Sequence, residues 1–423
     1  MRYERPMLMF VFGAGASFDS DPQRRPGDSE ISLYEADFRP PLAMDLFTPQ
    51  SDRGKEIVGD FPRAAPLIMQ LRQAVAQGED IEEVLEMISA GSESYPARAA
   101  QLLAVRGYLT RLLSVIPGEW ADHCQGLTNY VRVLDEAGRW NAEATHADAD
   151  GKDPIACVNF NYDLLLEQAV DRAFGHLIDS LGDFNSSPDI HVHKPHGSVS
   201  WRQAARWSVQ DNYTVWPQGA AFYQAVQEAD GLEWLAEWTQ VDVDEESEAF
   251  QDASEATKVW LPALSIPVRR KSEFTMPDAH REALIEDVRK VTTMVAVGWR
   301  ARERHFLKLL QDEMPSQPAR LVVVAPNDLA AMETIDNLWE TGRFDAYAIS
   351  GRGFSGFTDR PTDEYAQSGG KETDQADRTA LTITEMLSAE RGYGVWTRRP
   401  TGSGLGSDAG EPGTYAPPQY ADL

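Results

Sequence analysis

A chain of 423 residues with 42% hydrophobic content can bury a full core. Since single cores rarely grow beyond roughly 250–300 residues, additions to one main domain are expected. Its 67 acidic residues against 39 basic ones leave a formal charge of −28, which repels phosphate backbones and anionic lipid and disfavours extensive direct nucleic-acid binding. Cys124 and Cys157 are the only cysteines, too few for a disulfide framework or a four-cysteine zinc site, and they fit a reducing compartment. No signal-type cleavage site precedes Gly13 and no apolar run approaches the roughly 20 residues that span a bilayer, so a cytoplasmic location without membrane contact is expected.

The first element is the apolar run 7–12, which reads as a buried parallel strand broken by Gly13 and Gly15. From 61 to 138 apolar residues recur at three- and four-residue spacing with Pro and Gly punctuation, and about four helices are expected there as an inserted module. Strand text returns at 155–163 and 190–198, with helical text between them. Between Trp207 and Thr257 there is no Lys, Arg or His, twelve residues are acidic, and aromatic residues such as Trp207, Trp216, Trp234 and Trp238 recur. This predicts a second insert at about 200–258, acidic on one side and aromatic on the other. Strand candidates at 260–267, 292–299, 320–326 and 344–350 alternate with helical text, which implies an α/β fold, a Rossmann-like doubly wound parallel sheet. A main domain over 1–357 is therefore expected, followed by a polar extension at 358–423 with one short helical candidate and a partly disordered end. The basic runs Arg269-Arg270-Lys271 and 299–305 read as solvated faces.

Three stretches carry candidate chemistry. Gly13-Ala14-Gly15-Ala16-Ser17 follows an apolar strand directly and places two glycines where backbone amides can approach a diphosphate. It lacks the third glycine of a dehydrogenase fingerprint, and no acidic residue ends a second strand about 20 residues on. Asn161 and Asp163 close the strand at 155–163, where they could equally cap the helix that follows, and Asn159 is a rival to Asn161. KPHGS at 194–198 carries His196, whose ordinary pKa of about 6.5 suits proton transfer near neutrality. His191 and His193 share a strand face, but His196 lies beyond Pro195 and no partner Cys/His pair is recognisable, so the three histidines do not form a recognisable ligand set and no metal is expected.

GAGAS, NYD at 161–163 and KPHGS occur in the order found in the sirtuin-like family, which this chain resembles over roughly 7–357 outside the two inserts. VGW at 297–299 resembles that family's glycine turn near the cofactor phosphates and ribose, and APND at 325–328 its strand-end Asn beside the adenosine. The resemblance implies NAD as substrate. It sets Gly13, Ala14, Gly15, Ala16, Ser17, Asp163, Gly298, Trp299 and Asn327 at the dinucleotide, with Asp163 at the carboxamide. It makes Asn161 and His196 the catalytic pair, the asparagine at the nicotinamide ribose and the histidine as base.

Two departures matter. The cysteine-ligated zinc module of protein-deacylating sirtuins is replaced by the acidic insert, and Asp37-Phe38-Arg39 follows a longer polar stretch than the deacylase G-I-P-D-F-R. PPLAMDLF at 40–47 and IEEVLEMI at 81–88 look instead like the branch found in bacterial anti-phage systems, which hydrolyses NAD when a sensor is triggered. That resemblance implies an NAD glycohydrolase, a homo-oligomer, acting with a HerA-type ATPase, an Argonaute-like protein or another phage sensor. A deacylase and a non-catalytic nucleotide-binding subunit are the alternatives.

Overall fold

The computed structural model describes residues 7–26, 39–47, 52–79, 81–90, 96–145, 153–206, 222, 225–226, 231–243, 250–251, 258–266, 274–359, 382–389 and 396–397. Six parallel strands form the main sheet: β1 (Met7–Phe12), β2 (Ile155–Asn159), β3 (Ile190–His193), β8 (Val291–Val297), β9 (Ala319–Val324) and β10 (Phe344–Ser350). They lie in the order β3-β2-β1-β8-β9-β10. All pairs are parallel, with β1 between β2 and β8. This is a doubly wound sheet in the Rossmann order, and its direction of winding reverses between β1 and β8. β1 is apolar throughout because both its faces are covered: all six of its residues are buried.

The crossover from β1 to β2 holds the helices α1 (Ala14–Phe18), α2 (Asp52–Asp60), α3 (Ala65–Ala76), α4 (Ile81–Ala90), α5 (Pro96–His123) and α6 (Asn129–Thr145). Their packing is divided between two cores. Trp120 at the end of α5 and Tyr130, Val133, Leu134 and Ala137 of α6 belong to the sheet's own core. The earlier helices build a second core with Phe47, Phe61, Leu71, Leu85, Tyr108 and Phe222. Within α5, Ala97–His123 is long and apolar enough to cross a membrane by length and composition, contrary to the sequence reading. Its apolar side chains are divided between the two cores, Leu103, Val105 and Leu109 in one and Trp120 in the other.

The second core is closed by an antiparallel sheet in the order β5-β4-β7-β6: β4 (Gly197–Arg206), β5 (Glu233–Gln240), β6 (Phe250–Gln251) and β7 (Lys258–Leu264). This corrects two expectations. The strand at 260–267 joins β4 in this sheet and not the parallel one, and the run at 190–198 divides into β3 and the start of β4. Trp234 is half-exposed on β5 under the Arg106 guanidinium, and Trp238 packs edge-on to Trp201. Trp207, Trp216, most of the acidic insert, Arg269, Arg270, Lys271 and the stretch 400–423 lie outside the described residues.

After β3 the remaining helices are α8 (Asp278–Val288), α9 (Arg304–Glu313), α10 (Asp328–Trp339), α11 (Gly353–Phe357) and α12 (Ile383–Ala389), with α7 (Leu165–Phe174) following β2. The short helix expected in the C-terminal extension is α12, which sends Ile383, Met386 and Leu387 into the main core.

Candidate functional site

In a doubly wound sheet the loops at the carboxyl ends of the strands splay apart where the winding reverses, and this is where ligands bind. Here that point lies between the Gly13 turn after β1 and the Gly298 turn after β8. The two turns touch. Gly13 N–H donates to Val297 O at 3.0 Å and Gly15 N–H to Gly298 O at 3.1 Å. A Cβ on Gly13 would stand 2.6 Å from Gly298 O. Gly298, at φ +57°, could carry none without meeting Ala16 N at 2.4 Å. The glycines are required by this backbone approach, and the amides of Gly13 and Gly15 are spent on it. Ala14 and the half-buried start of α1 are what the turn still offers a ligand.

Asn161, just beyond β2, reaches across to this turn. Its Nδ2 lies 2.9 Å from Gly13 O, 2.9 Å from Ser17 Oγ and 3.1 Å from the Tyr130 hydroxyl. A main-chain carbonyl only accepts, so the bond to Gly13 O sets which end of the amide faces the turn. Its Oδ1 has no hydrogen-bond partner among the described residues. Ser17 in turn donates to Asp163 Oδ2 at 2.9 Å, and Asp163 Oδ1 accepts from Leu165 N at 3.1 Å. Asp163 therefore holds the first amide of α7 and anchors Ser17 at once, with both oxygens engaged inside the protein. Burial raises the Asp163 carboxyl, against the pull of Lys194 and Ser17, and burial pushes the Tyr130 phenol well above its ordinary value, so the phenol stays a donor. Asn159 sits behind the loop, fully buried, its Oδ1 accepting from Asn161 N at 3.0 Å. Of the two asparagines, Asn161 is the one joined to the Gly13 turn.

His196 stands beside this loop. Its ring lies edge-on to Phe160 at 4.8 Å and stacks with Tyr162 at 6.1 Å, the two residues that flank Asn161. His305 of α9 is a further ring neighbour at 5.8 Å. The turn carrying His196 is held from the second sheet. Ser265 N–H donates to His196 O at 2.9 Å, and Gly197, at φ +83°, leaves room for Ala263 O, which would be 2.0 Å from any Cβ there. Antiparallel strands thus brace a loop that the parallel sheet delivers.

Beneath both loops lies Lys194, fully buried. Its ammonium donates to Asp163 O and pairs with Glu167 Oε1 at 2.6 Å. Burial raises the Glu167 carboxyl, opposed by Lys194.

The remaining predicted residues fall around this centre. Trp299 is buried and stacks on Phe160 at 5.2 Å with planes 12° apart, its Nε1 donating to Glu303; its ring supports the Phe160–His196 contact from within the core. Asn327 is exposed at the end of β9 and caps α10 through Ala330 N at 3.0 Å. Arg39 is buried on Trp120 and binds the carbonyls of Phe18 and Arg24, closing the stretch after α1; Asp37 and Phe38 lie outside the described residues. His191 Nδ1 and His193 Nε2 both stand 2.8 Å from the same oxygen of Asp287 on α8. Burial alone would raise that carboxyl, but the two imidazoles overcome it and bring it down to about 2, while burial lowers His193.

Sequence reading missed Tyr130 and Lys194 as site residues. Tyr130 occupies an apolar position of an amphipathic helix, and nothing in its neighbours signals a hydroxyl that meets Ser17, 113 residues earlier. Lys194 did leave a signal, a lone ammonium between the strand IHVH and a proline, where a buried charge must find partners. The chain matches no model of a known protein family and no curated protein sequence.

Proposed function

We propose that this chain is an NAD glycohydrolase, cleaving the nicotinamide–ribose bond with water to give ADP-ribose and nicotinamide. One observation carries the reading: at the point where the sheet's winding reverses, an amide oriented by Gly13, with its Oδ1 unengaged among the described residues, sits on a loop whose adjoining residues Phe160 and Tyr162 pack against the ring of His196. N-glycosidic cleavage passes through an oxocarbenium-like state, so it calls for a group that holds the ribose and a base that takes a proton near neutral pH. Asn161 Oδ1 is suited to accept from a ribose hydroxyl and His196 to draw a proton from attacking water. Ser17, Tyr130 and Asp163 keep the amide from rotating.

The diphosphate belongs in this reading over Ala14 and the start of α1, the nicotinamide between Asn161 and His196, and the adenosine toward Asn327. Gly298 shapes the crevice, and Trp299 supports Phe160 from behind. A chain that drains a shared cofactor must be restrained, so the reading includes a cytoplasmic homo-oligomer that a partner activates in an anti-phage response. A HerA-type ATPase, an Argonaute-like protein or another phage sensor would fill that role.

The experiment is a turnover assay on the purified chain that separates nicotinamide, ADP-ribose, cyclic ADP-ribose and acylated product, with light scattering on the same sample. Release of nicotinamide and ADP-ribose in equal amounts supports the proposal. Release of nicotinamide only when an acyl-lysine peptide is present would point to deacylation, and a monomer with full turnover would remove the restraint by assembly.

A further inference from the structure

We propose that Lys194 is a positioning residue whose buried ammonium ties the loop carrying Asn161 to the turn carrying His196, fixing the spacing of the two groups. Lys194 is 0% exposed, so it meets no bound substrate. Its Nζ lies 2.5 Å from Asp163 O and 3.5 Å from Tyr162 O, the two carbonyls after Asn161. His196 lies two residues further along the chain. The Tyr162 carbonyl has a second tie, from Val199 N at 3.0 Å, whereas the Asp163 carbonyl has no other partner among the described residues. Glu167 is the counter-ion that makes this burial tolerable, and it binds through one oxygen; its Oε2 is buried with no partner among the described residues. The two carbonyls satisfy the ammonium's remaining donors, but an apolar pair of similar volume is often as stable or more so, and stability alone does not call for a charge at this position. What the ammonium adds is a rigid link between two loops that approach from different strands.

The test separates linking from folding. Lys194→Met alone strands a buried carboxylate, so the variant of choice is Lys194→Met with Glu167→Leu, which should melt within about 5 °C of the parent. The amides of 162–165 and 196–197 should exchange with deuterium at least about tenfold faster. In the glycohydrolase reading, on which this arm rests, kcat should fall about 100-fold with KM within about threefold, as expected when reacting groups are misplaced by an ångström. Glu167→Gln removes the counter-ion and should lower the melting temperature, but it keeps an acceptor for Lys194 and both carbonyl contacts, so below its melting transition it should hold exchange at 162–165 and 196–197, and kcat, within about threefold of the parent. Unchanged exchange in the double variant, or faster exchange with parental kcat, overturns the proposal. Exchange is read without turnover, so a parent that releases no nicotinamide refutes the proposed function and leaves the exchange comparison to decide the link. If the double variant does not fold, Lys194→Met at mildly acidic pH, where Glu167 can take up a proton, gives the same comparison.

Discussion

The two sheets of this molecule do different work with similar materials. The parallel sheet sends the loops after β1, β2, β3 and β8 to one edge, so residues far apart in sequence, such as Ser17, Asn161 and His196, converge there. The antiparallel sheet sends successive loops to opposite ends. Of its described residues, those at one end meet the site, where Ser265 and Ala263 brace the His196 turn. Its other contribution is a core shared with α2 to α5. Convergence of loops, and not the amount of buried surface, is why the candidate site lies at the edge of the parallel sheet. Substitutions in the two regions should therefore separate activity from stability.

The largest expected effect is on turnover at the parallel edge. His196→Ala should lower NAD cleavage by about 10²–10⁴-fold, the range for a general base, and Asn161→Ala by about 10²–10³-fold, as for loss of one oriented polar group. Circular dichroism and melting should show both variants folded. Asn159→Ala should instead cost about 1–3 kcal/mol of stability, because it removes a buried acceptor for the Asn161 amide. Should Asn159→Ala lose all turnover at unchanged stability while Asn161→Ala stays active, the assignment of the two asparagines is reversed.

The next effect sets glycine against glycine. A Cβ on Gly13 meets the backbone of the Gly298 turn, which cannot step aside, whereas one on Gly107 in α5 meets the Phe222 ring at 2.3 Å, which can. Both substitutions should destabilise by about 1–3 kcal/mol. Only Gly13→Ala should also depress the specific activity of the folded protein. Equal loss of specific activity in both would mean that the second core controls the site as tightly as the first.

The contrast also explains what could be read in advance. β1, β2, β3, β8, β9 and β10 were legible because parallel strands buried on both faces leave continuous apolar runs, and the glycine turns and KPHGS mark where such strands end. β7 was assigned to the wrong sheet because KVWLPAL, pressed between β4 and α5, is nearly as apolar as a parallel strand. Local text does not record pairing direction. The sequence left Asp163 open between capping the following helix and meeting the carboxamide, and its contact to Ser17 comes from a residue that only the fold brings to it. Tyr130 stayed hidden because a hydroxyl at an apolar helix position looks like core until its partner strand is in place.

A smaller effect concerns acid. The Asp287 carboxyl sits at about 2 in the folded chain and near 4 when unfolded, so the stability it adds is complete above about pH 4 and is lost as pH falls towards 2. His193 is lowered by burial, so the unfolded chain takes its proton first and stability also declines below about pH 6.5. Both act in the same direction. Asp287→Asn should lower stability at pH 7 by on the order of 2 kcal/mol and flatten the loss between pH 4 and 2. Denaturation curves at stepped pH measure this. An unchanged acid limb would show that other carboxylates govern it.

The smallest expected effect is that of a chelator, which should be none. His191, His193 and Asp287 are the one group of described residues with metal-ligand character, their ligand atoms lying within 4.8 Å of one another. Yet both nitrogens stand 2.8 Å from one carboxylate oxygen, the spacing of two N–H donors sharing an acceptor. A zinc ion would have to enter among these atoms at about 2.0–2.2 Å from each, parting contacts that are already satisfied. Binding through His193 Nε2 would also force the proton onto Nδ1, which is buried with no acceptor among the described residues, whereas ligating histidines almost always donate their other N–H. The cluster therefore fixes the end of β3, three residues before His196, by hydrogen bonds. NAD cleavage should be the same before and after EDTA, and elemental analysis should find zinc well below one per chain. One zinc per chain that disappears together with activity in Asp287→Asn would show that this strand end is held by a metal.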